Sequence, residues 1–487
     1  MKARKILLIE PPFYRLIKST YALCRYPLSL GYLASAIEKS TDWEVLAYNS
    51  DFSPTADFFN VRHLVGEGFL EYRRNLQNPS HPVWQEIREC IVEYDPAVVG
   101  LSAKSSTFAS AGIVAAITRQ IDPAICVVVG GPHPSSVGAQ LLSCADLDIG
   151  ITGEGEETLP DLLRTFGSGS DLAQVQGLVY RKNGYAVSTP KRPPIDDLDS
   201  LDFPALLAPR VLKDYHRYPK EAFRSVLATR GCPNNCFFCG SRNVWGRTVR
   251  FRSPGNVAEE IRSLQGMGIG PVHFEDDTFG AYPAYLRALC RGLTERCPGL
   301  EWSCETHVKL ITDENVAIMK EAGCTMIQLG IESGNNRILR EIRKGYTIEE
   351  AFRACEIIRR HGIVLETFFM VGFPRETEET LRDTLKAIER VECRKVIYSI
   401  FTPYPGTEAF EWCRAKGLIC NGYDPSLHHH QSPANNFCAA LPHTVFRSIA
   451  TELEQAVDDK NRLARGEKRK GAMDDGPNDQ AHPRLHT

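Results

Sequence analysis

The stretch GCPNNCFFC, residues 231–239, is the most informative part of the sequence. It places Cys232, Cys236 and Cys239 in a C-x3-C-x2-C spacing, shortly after the apolar run SVLAT. A structural zinc site takes four ligands, usually as two separated pairs, and no second pair lies at a suitable distance. A [4Fe-4S] cluster on three thiolates leaves one iron open for another ligand. The spacing therefore favours a cluster, with a zinc knuckle as the alternative.

Composition narrows the class of protein. The chain has 487 residues, of which 43% are hydrophobic and 24% charged, which is typical of a soluble globular protein with two or three domains. The 57 basic and 60 acidic residues give a net charge of −3, so there is no overall basic field for nucleic acid. Neither a membrane span nor a signal peptide is evident. We expect a cytoplasmic protein that acts on small molecules.

Residues 1–166 alternate buried-strand patterns with helical patterns. The predicted strands are KILLIE, AVVGLS, ICVVVG and DIGIT. This alternation predicts a doubly wound, Rossmann-like α/β domain. Residues 167–221 predict a linker that contains a β-hairpin turning at Asn183-Gly184.

Residues 222–415 repeat a strand-helix unit six times. The predicted strands are SVLAT, VHFED, WSCET, MIQLGI, LETFFMVG and VIYSIF. They predict a partial (β/α)6 barrel of the TIM type, whose ligands bind at the carboxyl ends of the strands. The cysteine loop follows the first strand, so the open iron would lie at that end. Residues 416–465 predict a partly helical cap over the barrel mouth, and residues 466–487 a disordered tail.

The barrel segment resembles the radical S-adenosylmethionine superfamily. CPNNCFFC matches its signature, and the motifs VHFEDDTF, GIESGN, ILREIRKG and MVGFPRETEETL follow in the family's order. The resemblance implies that S-adenosylmethionine binds the open iron. It also implies contacts with the adenine from Phe238 and Gly372, and with the ribose or the methionyl part from Glu275, Asp276, Glu332, Ser333 and Lys344. His307 stands where the family often has arginine, so no role carries over to it.

The first domain is similar to the cobalamin-binding domain. The matching motifs are VVGLSAKSSTF, VVVGGPHP and GITGEGEETLPDLL. The resemblance implies that the slot for the nucleotide tail of cobalamin is lined by Ser102, Gly130, Gly131, His133 and Gly153. The loop PPFYRLIKSTY has no histidine, so cobalt would lack a histidine ligand. A domain kept only for packing is the alternative.

Together the two halves resemble the cobalamin-dependent radical S-adenosylmethionine enzymes, most of which are C-methyltransferases. The resemblance implies that one S-adenosylmethionine methylates cobalamin and a second supplies the radical that removes hydrogen from an unactivated substrate carbon. We expect a secondary-metabolite-like substrate and an electron donor such as flavodoxin or ferredoxin.

Two alternatives stay open. An oxidative cyclase or rearrangement enzyme has the same motifs, and a non-catalytic cobalamin-binding module would belong to a different class. A methylthiotransferase is disfavoured because its N-terminal domain would bring three further cluster cysteines. The catalytic residues are not identified by any motif. Cys304 and Tyr404, near strand ends, are candidates for relaying a proton or hydrogen.

Overall fold

The computed structural model describes residues 3–54, 60–168, 170–420 and 422–465. The predicted tail 466–487 lies outside the described residues. The strands are β1 Lys5–Glu10, β2 Glu44–Asn49, β3 Val98–Ser102, β4 Cys126–Gly130, β5 Ile149–Ile151, β6 Leu178–Lys182, β7 Tyr185–Ser188, β8 Ser225–Val226, β9 Thr229–Arg230, β10 Arg250–Phe251, β11 Val272–Phe274, β12 Trp302–Thr306, β13 Cys324–Glu332, β14 Val364–Val371 and β15 Lys395–Ile400. The α-helices are α1 Tyr14–Ile17, α2 Leu28–Ser40, α3 Val61–Val65, α4 Glu67–Leu76, α5 Pro82–Tyr94, α6 Phe108–Ile121, α7 Pro132–Val137, α8 Gly155–Ser168, α9 Pro204–Val211, α10 Arg242–Trp245, α11 Pro254–Gly266, α12 Pro283–Arg296, α13 Asp313–Glu321, α14 Asn336–Glu341, α15 Ile348–Arg360, α16 Glu378–Arg390, α17 Glu408–Ala415 and α18 His443–Ala464.

The first sheet has the strand order β2-β1-β3-β4-β5-β6-β7. Strands β1 to β5 run parallel. Alternation along β1 sends Ile6 and Leu8 into one hydrophobic cluster and Leu7 and Ile9 into another, and all four are buried. Helices α2, α8 and α9 contribute to the first cluster, and α1, α5 and α6 to the second. Both faces of the sheet are therefore covered, which confirms the doubly wound α/β domain.

The hairpin expected between the domains is present as β6 and β7. Its turn residues Asn183 and Gly184 have φ angles of 53° and 82°, as a two-residue type I′ turn requires. Strand β6 pairs antiparallel with β5, so the hairpin extends the first sheet. The boundaries at residues 166 and 221 stay predictions.

The second sheet is the predicted partial barrel. Its six strands are parallel and follow the order β15-β14-β13-β12-β11-β8. Their carboxyl ends lie along one rim, where a barrel of this type binds its ligands. One continuous hydrophobic cluster includes residues of this barrel together with residues of the first sheet, α2 and α8. The two halves are therefore packed against each other through a shared core.

The segment 422–442 crosses the rim of the barrel. The amide of Ile400 donates to the carbonyl of His430 at 2.8 Å, and the amide of Ala439 donates to the carbonyl of Pro374 at 2.8 Å. The hydroxyl of Ser426 accepts from the amide of Ala109 at 3.1 Å, at the start of α6. This segment therefore connects the barrel rim with the first domain. None of the helices in the described ranges combines the length and the apolarity that crossing a bilayer requires.

Candidate functional site

The three cysteines of the triad, Cys232, Cys236 and Cys239, lie in one loop after β9. Gly231 has a φ of 102°, and a Cβ there would lie 2.4 Å from the carbonyl oxygen of Thr248, so the position requires glycine. In the middle of the loop, the amide of Phe237 donates to the carbonyl of Ile342 at 3.1 Å. The amide of Ala409 donates to the carbonyl of Phe237 at 3.2 Å. The loop is thus held at its start and in its middle.

The thiols of the triad lie close enough to influence one another. Burial raises the pKa of Cys239 to about 11 and that of Cys236 above its ordinary value. Cys232 raises both pKa values further, and Cys236 also raises the pKa of Cys239. All three cysteines are free of disulfide bonds. Because thiolates are the ligands of iron, the thiols must lose their protons when a cluster binds. Three adjacent thiols in a glycine-started loop fit a [4Fe-4S] cluster with one open iron.

Two acidic residues after β11 accept hydrogen bonds from residues before and after the cysteine triad. The carboxylate of Asp276 accepts from the amide of Ala228 at 3.0 Å and from the hydroxyl of Thr229 at 2.5 Å. Burial raises its pKa to about 6. Asp277 accepts from the hydroxyl of Ser241 at 2.6 Å, just beyond the triad. Both oxygens of Asp276 are used in this way, so its contact with S-adenosylmethionine stays a prediction.

Glu275 and Glu305 lie at the rim near the first domain. Glu275 accepts from the hydroxyl of Ser225 at 2.8 Å, and its Oε1 lies 3.4 Å from Nη1 of Arg25. Desolvation by the surrounding protein raises the pKa of Glu305 to about 7, and the negative charge of Glu275 is the next largest cause. In the part of the chain that the structure describes, the carboxyl group of Glu305 has no hydrogen-bond or ion-pair partner, although its backbone carbonyl accepts from the amide of Phe279 at 3.0 Å. Its side chain is nevertheless accessible, so the interior of the barrel opens to water here.

Sequence reasoning missed Glu305. It stands next to Cys304, which is fully buried, and side chains alternate between the faces of a strand. The alternation in WSCET therefore carried a signal that Glu305 faces the barrel interior. The family motif on the third strand points to position 307, two residues further along the chain.

Glu332 and Lys344 form a buried ion pair at the end of β13. Oε1 of Glu332 lies 3.0 Å from Nζ of Lys344. Burial alone would lower the pKa of Lys344, but the carboxylate of Glu332 raises it above its ordinary value. A Cβ at Gly330 would lie 2.7 Å from Oε1 of Glu332, so the glycine makes room for the pair. The ammonium of Lys344 partly offsets the rise in the pKa of Cys236, which shows that the pair lies beside the cysteine loop.

The two residues predicted to contact the adenine lie in adjacent loops. The ring of Phe238 is centred 5.5 Å from the ring of Phe373. Gly372 has a φ of 91°. The amides of Gly372 and Phe373 donate to one carboxylate oxygen of Glu376, at 2.5 and 3.0 Å. The two residues therefore lie close together, and their contacts with the adenine stay predictions.

Three further predicted residues have protein surroundings of their own. The hydroxyl of Ser333 is fully buried and accepts from the amide of Asn335 at 3.2 Å. Cys304 is fully buried, which raises the pKa of its thiol, and the neighbouring thiol of Cys324 raises that pKa further. Tyr404 follows β15, and burial raises its pKa to about 12. Cys304 is therefore a core residue, whereas the proposed roles of Ser333 and Tyr404 stay predictions.

A cavity of about 250 Å³ lies at the carboxyl end of the first sheet. Four of the predicted cobalamin residues line it, namely Ser102, Gly130, Gly131 and Gly153. A Cβ at Gly153, where φ is 79°, would meet no protein atom within 4 Å. Much of the wall is aliphatic, with Leu8, Leu33 and Val128 among its residues. A largely apolar slot bordered by glycines fits the aromatic base of the nucleotide tail.

The barrel half supplies part of the same wall. Its contributions are Leu227, Arg230, Val244 and Trp245. His133 is not among the wall residues that define this cavity. Its Nδ1 lies 3.0 Å from the hydroxyl of Ser105, and its ring stacks on Phe108 with centroids 4.1 Å apart. Burial lowers the pKa of His133 to about 4, so the ring is neutral, and its contact with cobalamin stays a prediction.

The consecutive histidines of the cap face different surroundings. Nδ1 of His428 lies 2.9 Å from Oδ1 of Asn435. The ring of His429 is fully buried among aromatic rings of the first domain, 5.0 Å from Phe13 and 5.1 Å from Tyr72. His429 therefore anchors the cap to the first domain, whereas His428 contacts another part of the cap.

Comparison with known proteins agrees with this geometry. The chain matches the family model described as the Radical SAM superfamily over residues 226–388, and the B12 binding domain over residues 14–163. It is 31% identical over 424 residues to an uncharacterized methyltransferase of Pyrococcus horikoshii, covering 86% of this chain and 85% of the relative. It is 29% identical over 340 residues to the anaerobic magnesium-protoporphyrin IX monomethyl ester cyclase of Rubrivivax gelatinosus, covering 67% and 60%.

A solved structure shows the same fold over nearly the whole chain. It is the radical S-adenosylmethionine methyltransferase TsrM from Kitasatospora setae, with a TM-score of 0.69, 20% identity, and coverage of 93% of this chain and 89% of the other. The two family models match in the order in which the two domains occur. The chain therefore belongs to the cobalamin-dependent radical S-adenosylmethionine enzymes of the methyltransferase-like class, and a [4Fe-4S] cluster, S-adenosylmethionine and cobalamin are its cofactors.

Proposed function

We propose that this enzyme is a C-methyltransferase that moves a methyl group from S-adenosylmethionine, by way of cobalamin, to an unactivated carbon of a small molecule. The observation that carries the proposal is the shared wall of the 250 Å³ cavity. Arg230 lines that cavity and lies two residues before Cys232 of the triad. A substrate held at the barrel rim would meet both cofactors, and such proximity is what sequential reactions at one carbon require.

The chain's own residues bind and orient the reactants. When bound, the cluster supplies the electron that cleaves S-adenosylmethionine, and cobalamin carries the methyl group. The buried pair Glu332–Lys344 offers a carboxylate and an ammonium to the charged methionyl end. Phe238 and the loop at Gly372 flank the place for the adenine. The cap segment 422–442 covers part of the rim and would shield a reactive radical there from water.

The substrate would bind in the open part of the barrel interior. Glu305 is accessible there, and its carboxyl group has no partner in the described ranges, so it is free to form a hydrogen bond with the substrate. Glu275 and Arg25 lie beside it and already pair with each other. A compact polar molecule, such as a secondary metabolite, suits this arrangement better than a purely apolar one.

The test measures the fate of S-adenosylmethionine. The reconstituted protein is incubated anaerobically with hydroxocobalamin, S-adenosylmethionine and a low-potential reductant. A methyltransferase forms S-adenosylhomocysteine as well as 5′-deoxyadenosine, because one cofactor molecule donates its methyl group and another is cleaved to the radical. Formation of 5′-deoxyadenosine with no S-adenosylhomocysteine would contradict the proposal and favour the oxidative cyclase or rearrangement alternative.

Two variants make the experiment specific. Cys236→Ala removes one predicted ligand of the cluster, so 5′-deoxyadenosine should disappear. Cys304→Ser changes a buried core cysteine and should leave both products in place. A non-catalytic cobalamin-binding module would form neither product in the wild-type protein.

The proposal also includes the electron donor and the cellular compartment. Reductive cleavage requires a low-potential donor, and we expect flavodoxin or ferredoxin in this role. All sixteen cysteines are free, which supports a reducing compartment such as the cytoplasm. Reduced flavodoxin and reduced ferredoxin should each be tested in place of the chemical reductant. If neither supports 5′-deoxyadenosine formation while the chemical reductant does, this choice of donor is wrong.

A further inference from the structure

Arg230, the last residue of β9, is held by four side chains of the cavity wall. Its Nη1 lies 2.7 Å from Oε1 of Glu154, and its Nη2 lies 2.6 Å from Oε1 of Glu156. The guanidinium also lies over the rings of Tyr32 and Trp245, 5.0 and 4.8 Å from their centroids. All five residues line the cavity. A ligand that fills the cavity therefore touches the side chains that fix the position of Arg230.

The pairs of Arg230 are almost inaccessible to water. The side-chain exposure is 3% for Arg230, 3% for Glu154 and 8% for Glu156. Breaking one partner away from a buried ion pair leaves an uncompensated charge, which is strongly unfavourable. Arg230 consequently moves only together with the wall of the cavity.

A single residue separates Arg230 from the first cysteine of the triad. That residue, Gly231, has a φ of 102° and packs against the carbonyl of Thr248. Strand β9 itself pairs with β10 through Arg230 and Arg250. The start of the cysteine loop is therefore tied to Arg230 on one side and to β10 on the other.

Arg250 provides an internal comparison. Its Nη1 lies 2.8 Å from Oε2 of Glu154, so it shares a carboxylate with Arg230. It is also buried. Unlike Arg230, it is not among the residues that line the cavity. Arg250→Lys keeps a positive charge beside Glu154 and leaves both ion pairs of Arg230 in place, and it touches no ligand in the cavity.

We infer that Arg230 is a positioning residue that couples the nucleotide-tail cavity to the iron-sulfur cluster. Cobalamin that fills the cavity holds Arg230 in place, and Arg230 in turn holds Cys232 where iron needs its ligand. Such a coupling is reciprocal, because two ligands that favour one arrangement must strengthen each other's binding by the same factor. The inference concerns the assembly of the cofactors and goes beyond methyl transfer.

The first experiment is a binding measurement on the full-length protein. The Kd of hydroxocobalamin is measured anaerobically with and without the reconstituted cluster, and we expect the cluster to lower it at least about fivefold. Cobinamide has the corrin ring but no nucleotide tail, so its Kd should not depend on the cluster. Equal coupling for cobinamide, or no coupling for hydroxocobalamin, would overturn the inference.

Variants then assign the coupling to Arg230. Arg230→Lys loses the paired hydrogen bonds, and Glu156→Gln removes one charge partner while keeping the arginine. In both variants the ratio of the two Kd values should fall towards one. Arg250→Lys should keep the wild-type ratio. An unchanged ratio in both Arg230→Lys and Glu156→Gln contradicts the inference.

A second measurement distinguishes coupling between the two cofactors from a general loss of structure in the variants. The rate at which a chelator removes iron is measured with and without hydroxocobalamin. Protection by hydroxocobalamin should be present in the wild type and in Arg250→Lys, and it should be weaker in Glu156→Gln. None of these measurements needs turnover, so they stand apart from a failure of the proposed methyl transfer.

Discussion

Replacing Gly231 by alanine is expected to abolish stable cluster binding. The new Cβ would lie 2.4 Å from the carbonyl oxygen of Thr248, whereas real Cβ atoms essentially never approach closer than 3.0 Å. The backbone must therefore shift by at least 0.6 Å, which is 3.0 minus 2.4. Binding constellations tolerate displacements of only about 0.5 Å. The φ of 102° adds strain on the order of 1–3 kcal/mol for alanine.

The shift falls next to Cys232, so the readout is iron and sulfide per protein after anaerobic reconstitution, together with the optical spectrum. Gly246→Ala is the matched control, because Gly246 has a φ of 75° but its Cβ would meet no atom within 4 Å. Gly246→Ala adds backbone strain without a steric clash, so this variant should keep the wild-type iron content per protein. Wild-type iron in Gly231→Ala, or an equal loss in both variants, would refute the steric reasoning.

Other substitutions test the cavity, the barrel interior and the core. Ser102→Trp fills the cavity, so hydroxocobalamin binding in a spectroscopic titration should be lost while iron content stays normal; retained binding would show that the tail lies elsewhere. Glu305 has a folded-state pKa of about 7 against an ordinary 4.5, so its contribution to stability is lost as pH rises from 4.5 through 7. Glu305→Gln should therefore raise the thermal unfolding temperature at pH 8 relative to wild type, but not at pH 4. The gain in the free energy of unfolding should not exceed about 1 kcal/mol, because the side chain is accessible. An equal change at both pH values would count against this explanation. Glu260→Ala leaves the buried Arg252 without its charged partner and should lower the free energy of unfolding in urea by about 3–5 kcal/mol; a loss below about 1 kcal/mol argues against a buried pair.

The sequence alone determined the architecture and the cofactor set. The continuous apolar run KILLIE and the helical periods between the predicted strands are local patterns, which are visible without knowing what packs on them. The spacing of Cys232, Cys236 and Cys239 is equally local, because one loop supplies every protein ligand. Strand β2, with the sequence EVLAYN, was not named from the sequence.

Only the tertiary structure decided which partners the side chains take. Arg230 meets Glu154 across 76 positions of the chain, and the tail cavity is closed by residues from both halves. Asp276 and Ser333 carry family motifs, yet their polar atoms bond to neighbouring backbone and hydroxyl groups. Glu305 is a candidate substrate contact because the fold leaves its side chain accessible inside the barrel. Such pairings depend on which faces of distant elements meet, and no local period in the sequence encodes that.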